Sequence, residues 1–188
     1  MTDYIDQYLA ETIMVAQNID RHKIEAAIKM LWNLQRQGGR LYVVGNGGSA
    51  ANASHAVNDF RKITHIKAYS PYDNVAELTA RINDDGWNGS LLDWSAVERI
   101  TKDDVLLVLS VGGGSEDASG NITRIMTRFC SVGAPILSIV SRDGGDARGL
   151  STVYIHVPVV SEERVTPHAE NWQMIIIHLL VNAIAEEH

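Results

Sequence analysis

Short, almost uninterrupted apolar runs, separated by segments with helical periodicity, are the feature of this sequence that most constrains its fold. The runs predict strands at residues 41–44, 66–69, 105–109, 135–140 and 153–157. They lack the alternation of a strand with one solvated face and are typical of parallel strands covered on both sides. The pattern therefore predicts an α/β fold, a three-layer αβα sandwich with a five-stranded parallel sheet.

Helical spacing of apolar residues occupies the rest of the chain. Two helices are expected within residues 1–38, the second ended by the Gly38-Gly39 pair, and they are an addition to the α/β core. The remaining helices are expected at residues 49–61, 74–82, 91–98, 117–131 and 168–185. We expect residues 1–188 to form a single domain, since the chain contains no repeat, low-complexity stretch or linker.

Composition excludes several classes of function. The formal net charge is −7 and no cluster of Lys and Arg stands out, which argues against a protein that coats nucleic acid or an anionic membrane. The N-terminus is acidic and amphipathic, unlike a signal peptide, and no apolar run has the length of a membrane span. We expect a cytoplasmic protein. A small anion is still an acceptable ligand, because backbone N–H groups can bind it.

The first glycine-rich segment follows the strand at 41–44 and leads directly into a helix. It reads Gly45-Asn46-Gly47-Gly48-Ser49, and glycines together with a helix N-terminus suit a phosphate. A simple helix cap is the alternative, although three glycines exceed what a cap requires. A dinucleotide fingerprint also fits, but the acid expected about 20 residues on appears only at Asp73. We therefore favour phosphate binding.

The second glycine-rich segment has the same arrangement. A strand ends at Ser110, passes through three glycines and reaches Ser115 near the start of a helix. Open α/β sheets bind ligands at the carboxyl ends of their strands. The two loops are therefore expected to converge on one phosphorylated ligand, the alternative being two unrelated turns.

These motifs, in this order, resemble the sedoheptulose-7-phosphate isomerases of the sugar isomerase (SIS) superfamily. The shared motifs are the 45–49 loop with His55, the 110–115 loop, Asn83-Asp84-x-Gly86, the 142–145 turn and His178. The resemblance covers nearly the whole chain. It implies a homotetramer with active sites between subunits, with residues 1–38 at the oligomer interface. It also implies conversion of sedoheptulose 7-phosphate to D-glycero-D-manno-heptose 7-phosphate, an early step towards heptose in bacterial surface polysaccharides.

The resemblance also implies a set of substrate contacts. These fall on Asn46, Gly47, Gly48, Ser49, Asp84, Ser110, Ser115 and Glu170. The three serines match positions that bind phosphate, and Asn46 and Asp84 match positions that contact the sugar. Two further hydroxyl positions of the family fall on Val111 and Gly112, so those two donors are absent from this chain.

Catalysis and metal binding share residues in this resemblance. Asp59 stands where the family has a catalytic glutamate, and His178 matches its catalytic histidine. Moving a hydrogen between C1 and C2 through an enediol requires such a base and acid. With His55 and Glu170 the pair forms an acceptable zinc set, one ion per subunit. The family has a glutamine where this chain has Glu170, and the added negative charge should strengthen cation binding.

Three readings of function remain open from the sequence. The first is the heptose phosphate isomerase, and the second is a different phosphosugar isomerase. The third is a non-catalytic SIS protein that binds sugar phosphate or partner proteins, including regulators of replication initiation. The carboxylate of Asp59 and the imidazole of His178 favour an enzyme, although a histidine on an apolar helix is often simply packed.

Overall fold

The computed structural model describes residues 2–115 and 117–186 as helices packed around one sheet. The helices are α1 Thr2–Asn18, α2 Arg21–Gln37, α3 Gly48–Lys62, α4 Val75–Val97, α5 Gly120–Ser131, α6 Ala147–Leu150 and α7 Val165–Glu186. The strands are β1 Arg40–Gly45, β2 Lys67–Tyr69, β3 Val105–Ser110, β4 Ile136–Val140 and β5 Val153–His156. They pair in the order β2-β1-β3-β4-β5, all parallel. The predicted fold class is confirmed.

Alternate residues of each central strand enter two different cores. In β1, Leu41 and Val43 face the cluster formed with α1, α2, α3 and α7. Tyr42 and Val44 face the cluster formed with α4 and α5. Burial on both faces explains why these strands are continuous apolar runs. No helix in the described part of the chain combines the length and apolar character needed to cross a membrane.

Helices α4 and α5 differ from the sequence prediction in their bounds, and α7 begins at Val165 rather than at His168. The segments expected at 74–82 and 91–98 belong to one element, α4, which is kinked at Gly86, where φ is 72° and ψ is 168°. A single glycine leaves the helical region while the turns on either side continue. Helix α5 begins at Gly120 rather than at 117, because Ser115 and Ala118 close a turn by mutual hydrogen bonds before the helix starts.

A buried ion pair holds the amino ends of the two central strands together. Asp104, which is 2% exposed, receives two hydrogen bonds from the Arg40 guanidinium, at 3.0 and 2.7 Å. Its carboxylate also accepts the Arg40 backbone N–H at 3.0 Å. Such bidentate pairs fix geometry as well as charge, so β1 and β3 enter the sheet in a fixed register.

A second buried cluster joins α1 to the start of α7. The Glu11 carboxylate accepts hydrogen bonds from Arg164 Nε and Nη2, at 2.9 and 2.7 Å, and from His168 Nε2 at 2.8 Å. The bonds from Arg164, and then that from His168, lower the pKa of Glu11 from 4.5 to about 2. The leading helix is thereby attached to the helix that carries Glu170 and His178.

This cluster predicts a pH-dependent contribution to stability. Because the folded pKa of Glu11 lies below its unfolded value, its stabilisation is complete above about pH 4.5 and is lost as the pH falls towards 2. Glu11→Gln should therefore unfold at lower urea than wild type at pH 7, and the difference should shrink between pH 4.5 and 2. Glu25→Gln, an exposed acid on α2, is the control. A difference between Glu11→Gln and wild type that is independent of pH would contradict this assignment.

Candidate active site

The first glycine loop lies at the carboxyl end of β1. Gly47 has φ 60° and ψ −126°, a conformation that L-residues avoid. A Cβ on Gly45 would come within 2.6 Å of the Ser49 backbone. The Tyr72 hydroxyl donates to the Gly45 carbonyl and accepts the Gly45 N–H at 3.1 Å. Burial raises the pKa of Tyr72 to about 12. Sequence reasoning missed Tyr72, since only the fold brings it to the end of β1.

The amide of Asn46 pairs reciprocally with that of Asn121 at the start of α5. Asn46 Nδ2 lies 3.0 Å from Asn121 Oδ1, and Asn121 Nδ2 lies 2.9 Å from Asn46 Oδ1. Asn121 is 1% exposed, so this pair is shielded from water. The pair ties the loop after β1 to the helix after β3. The sugar contact expected of Asn46 stays a prediction, and Asn121 is a further residue of this region.

Backbone hydrogen bonds join the second glycine loop to the turn that follows β4. The Val111, Gly113 and Gly114 carbonyls accept N–H groups from Ser141, Ala147 and Asp146, at 3.0, 3.0 and 2.8 Å respectively. A Cβ on Gly113 would clash with the facing Gly144 carbonyl. Two of the glycines therefore allow close backbone packing, a role that the phosphate interpretation did not include.

The serines of the second loop shape its backbone. Ser110 Oγ accepts the Gly113 N–H at 3.0 Å, and Ser115 Oγ accepts the Ala118 N–H at 3.0 Å. Because β1 and β3 are neighbours in the sheet, their two loops lie at the same edge. Their binding of one phosphate stays a prediction.

His55, Asp59 and His178 form a compact triad where α3 packs on α7. Asp59 Oδ2 lies 3.2 Å from His55 Nε2 and 3.4 Å from His178 Nε2, and the two imidazole nitrogens are 3.3 Å apart. His55 and Asp59 lie on one face of α3, at positions i and i+4. Asp59 Oδ1 accepts Asn58 Nδ2 at 3.0 Å, which leaves Oδ2 to face both rings.

The edges of this triangle suit a tetrahedral metal ion. Zn–N and Zn–O bonds of about 2.0–2.1 Å place tetrahedral ligand atoms about 3.3–3.4 Å apart. The three edges, 3.2, 3.3 and 3.4 Å, agree with that spacing. The side chains of His55 and His178 are about half exposed, at 52% and 50%. The triad can thus supply three ligands of a tetrahedron and leaves its fourth position to a further ligand.

Glu170, the fourth ligand expected from the sequence, does not join His55, Asp59 and His178 within one chain. Its carboxylate lies over Gly48, where an added Cβ would clash with it. It lines a cavity of about 550 Å³ beside the first loop. The contact places a negative charge at the N-terminus of α3, where the helix dipole favours it.

Asp84 lies away from the triad in sequence and is exposed on α4, just before the kink at Gly86. Its carboxylate accepts a hydrogen bond from Asn83 Nδ2 at 2.8 Å. Its predicted contact with the sugar stays a prediction.

Comparison with known proteins places this arrangement in a family. The model of the SIS domain matches residues 3–124. The phosphoheptose isomerase of Helicobacter pylori strain Shi470 is 30% identical over 161 residues, which cover 82% of this chain and 78% of that protein. The lincomycin biosynthesis protein LmbN of Streptomyces lincolnensis is 29% identical over 168 residues, 85% of this chain, which spans only 61% of that longer protein.

A solved structure gives the same result for the fold. The phosphoheptose isomerase GmhA from Neisseria gonorrhoeae superposes with a TM-score of 0.84, covers 98% of both chains and is 22% identical in sequence. The superposed fold and the matched family model therefore point to the same family. The chain belongs to the SIS domain family, and its relatives within it include the phosphoheptose isomerases.

Proposed function

We propose that this protein is a phosphosugar isomerase that converts sedoheptulose 7-phosphate to D-glycero-D-manno-heptose 7-phosphate. The observation that carries the proposal is the convergence of Asp59 and His178 at 3.4 Å where α3 packs on α7, in a chain whose two glycine loops share one edge of the sheet. The relatives named phosphoheptose isomerase support the same substrate class.

The side chains of the triad suit proton transfer between C1 and C2. Asp59 is 13% exposed and its Oδ1 is fixed by Asn58, so Oδ2 is the oxygen available as the base. His178 lies beside it as the acid that protonates the sugar oxygen. Each role contributes roughly 10²–10⁴ in rate. A non-catalytic regulator has no need for such a pair, so that alternative is not favoured.

We propose that zinc binds at His55, Asp59 and His178, one ion per subunit. The tetrahedral spacing of the three ligand atoms and their mixed imidazole and carboxylate chemistry support zinc. When bound, the ion would occupy Asp59 Oδ2 and His178 Nε2 and would supply polarisation of the sugar oxygens, whereas proton transfer by these two atoms belongs to the site without the ion.

Glu170 would join this ion from a neighbouring subunit. Glu170 and His178 are eight residues apart on α7, about 12 Å of helix rise. Both side chains lean towards the helix N-terminus, so this separation is preserved. A ligand set that includes both residues therefore draws them from two chains, which supports the predicted homotetramer with sites between subunits.

An apolar row on α1 offers a surface for this assembly. Ile5, Leu9 and Ile13 recur every four residues and are 53%, 56% and 58% exposed in the isolated chain. Exposed apolar stripes of this kind mark protein–protein contacts. The row supports the expectation that residues 1–38 contribute to the oligomer interface.

Activity and zinc content test the triad. Asp59→Asn and His178→Ala should each lower turnover of sedoheptulose 7-phosphate, measured by NMR of the aldose product, by about 10²-fold or more. His55→Ala should lose zinc measured by mass spectrometry of the purified protein. Equal, negligible zinc in wild type and His55→Ala would contradict the metal, and unchanged turnover in Asp59→Asn would contradict the base.

Mixed oligomers test whether the site is shared between chains. Asp59→Asn and Glu170→Ala subunits, each impaired alone, should recover activity when co-expressed with different tags and purified as hybrids, because some sites then receive both intact residues. The matched control is Asp59→Asn with His178→Ala, whose residues belong to one triad and should recover nothing. Hybrids of the first pair that stay inactive would contradict a shared site.

The row on α1 gives a test of assembly. Leu9→Glu with Ile13→Glu should shift the protein from tetramer to smaller species in light scattering, and turnover should fall with it. Val97→Glu, at a 65% exposed position on the opposite side of the sheet, is the control and should stay tetrameric. A tetramer that survives the double substitution would exclude this row as the interface.

A further inference from the structure

A cavity of about 330 Å³ opens between the second glycine loop, the turn after β4 and the start of α7. The residues that line it include Gly112, Gly114, Ser115, Ser119, Arg142 and Thr166. Among the described residues that line it, one side chain is cationic and none is a carboxylate. Three hydroxyl side chains, those of Ser115, Ser119 and Thr166, line the same cavity. This composition suits a multiply charged anion.

The cavity at the first loop has the opposite charge. It is larger, about 550 Å³, and its described lining includes the Glu170 carboxylate and no Lys or Arg. A carboxylate over the N-terminus of α3 already occupies the place where that helix would favour an anion. Of the two loops, the second is therefore the better site for a phosphate dianion.

The backbone of Arg142 has a left-handed conformation, which is uncommon for a residue with a side chain. Its φ is 50°, in the left-handed region that few non-glycine residues occupy. The ring of His156 donates from Nε2 to the Arg142 carbonyl at 2.8 Å and stabilises this conformation. Within residues 2–115 and 117–186, the Arg142 guanidinium has no hydrogen-bonding or ion-pair partner. Strain retained at an unpaired cation is typical of a ligand contact.

Among the described residues, Asp143 and Asp117 do not pair with this cation. The adjacent carboxylate, Asp143, accepts the Gly145 N–H at 3.2 Å and so closes its own turn. Asp117 is exposed and does not line the cavity. Thr166 lies in the first turn of α7, a 22-residue helix whose dipole adds positive potential at this end.

We propose that Arg142 binds the phosphate group of the substrate and is a specificity-determining residue of the second loop. This rests on the proposed function. A guanidinium binds phosphate through paired N–H donors, and it compensates for the hydroxyls that Val111 and Gly112 do not provide. Ser115 and Thr166 complete the subsite. The ligand class is a phosphomonoester, and the unphosphorylated ketose is excluded as a good substrate.

The proposed phosphate subsite also has a defined relation to the triad. Thr166 and His178 are twelve residues apart on α7, about 18 Å of rise. An extended seven-carbon chain with its phosphate, built from bonds of about 1.5 Å, spans roughly 10 Å. Arg142 of one chain therefore serves the triad of a neighbouring chain.

Phosphate affinity and kinetics test the assignment. In the full-length protein, Arg142→Gln should weaken binding of inorganic phosphate, measured by calorimetry, about 10-fold or more. It should raise KM for sedoheptulose 7-phosphate by a similar factor and change kcat little, because the guanidinium is remote from C1 and C2. Arg142→Lys should fall between, since it keeps the charge without the paired donors. Arg148→Gln, an exposed arginine outside the cavity, is the matched control.

The outcomes separate this assignment from the isomerase proposal. Phosphate affinity that depends on Arg142, in a protein that does not turn over sedoheptulose 7-phosphate, supports the subsite and contradicts the activity. Normal turnover with unchanged KM and phosphate affinity in Arg142→Gln overturns the subsite and leaves the activity in place. Thermal melting of each variant establishes that it is folded, and loss of affinity in Arg148→Gln as well as in Arg142→Gln would also overturn the assignment.

Discussion

The fixed spacing of residues along α7 is the constraint on which the rest of the site depends. One helix carries Thr166 beside the second loop, Glu170 over the first loop and His178 in the triad. A helix is stiff, so His178 cannot approach Thr166 or Glu170 within a chain. Under the proposed function, a substrate of about 10 Å would bridge the phosphate subsite and the triad between two copies of α7, and oligomerisation would be part of the chemistry.

Attachment of α7 to its surroundings then decides how well the triad is placed. Asn52 on α3 donates to the Glu170 carbonyl at 2.9 Å and to Gln173 Oε1 at 3.1 Å. Gln173 is fully buried, so the contact is protected from water. These bonds set α3 against α7 one turn before His55, and the ion cluster of Glu11 holds the first turn of α7 against α1. The triad is therefore positioned from both of its helices.

The fold could be predicted from the sequence because strand and helix patterns are local. The apolar runs gave all five strands to within two residues, and Gly38 ends α2 with φ 72° as expected. Features that depend on distant packing were missed: the reciprocal pair of Asn46 with Asn121, and Tyr72 on Gly45. The start of α5 was placed early, because periodicity does not reveal a turn closed by a serine hydroxyl.

The distribution of charge suits this acidic chain to the doubly negative ligand that is proposed for it. The chain has a net charge of −7, and the surroundings of its two glycine loops carry opposite charges. The Glu170 carboxylate makes the surroundings of the first loop negative, while Arg142 and the N-terminus of α7 make those of the second loop positive. In the proposed arrangement between chains, the sugar phosphate is oriented with its carbonyl end at the triad and its phosphate at the second loop. Its orientation then follows from where the triad and Arg142 lie relative to the two ends of α7.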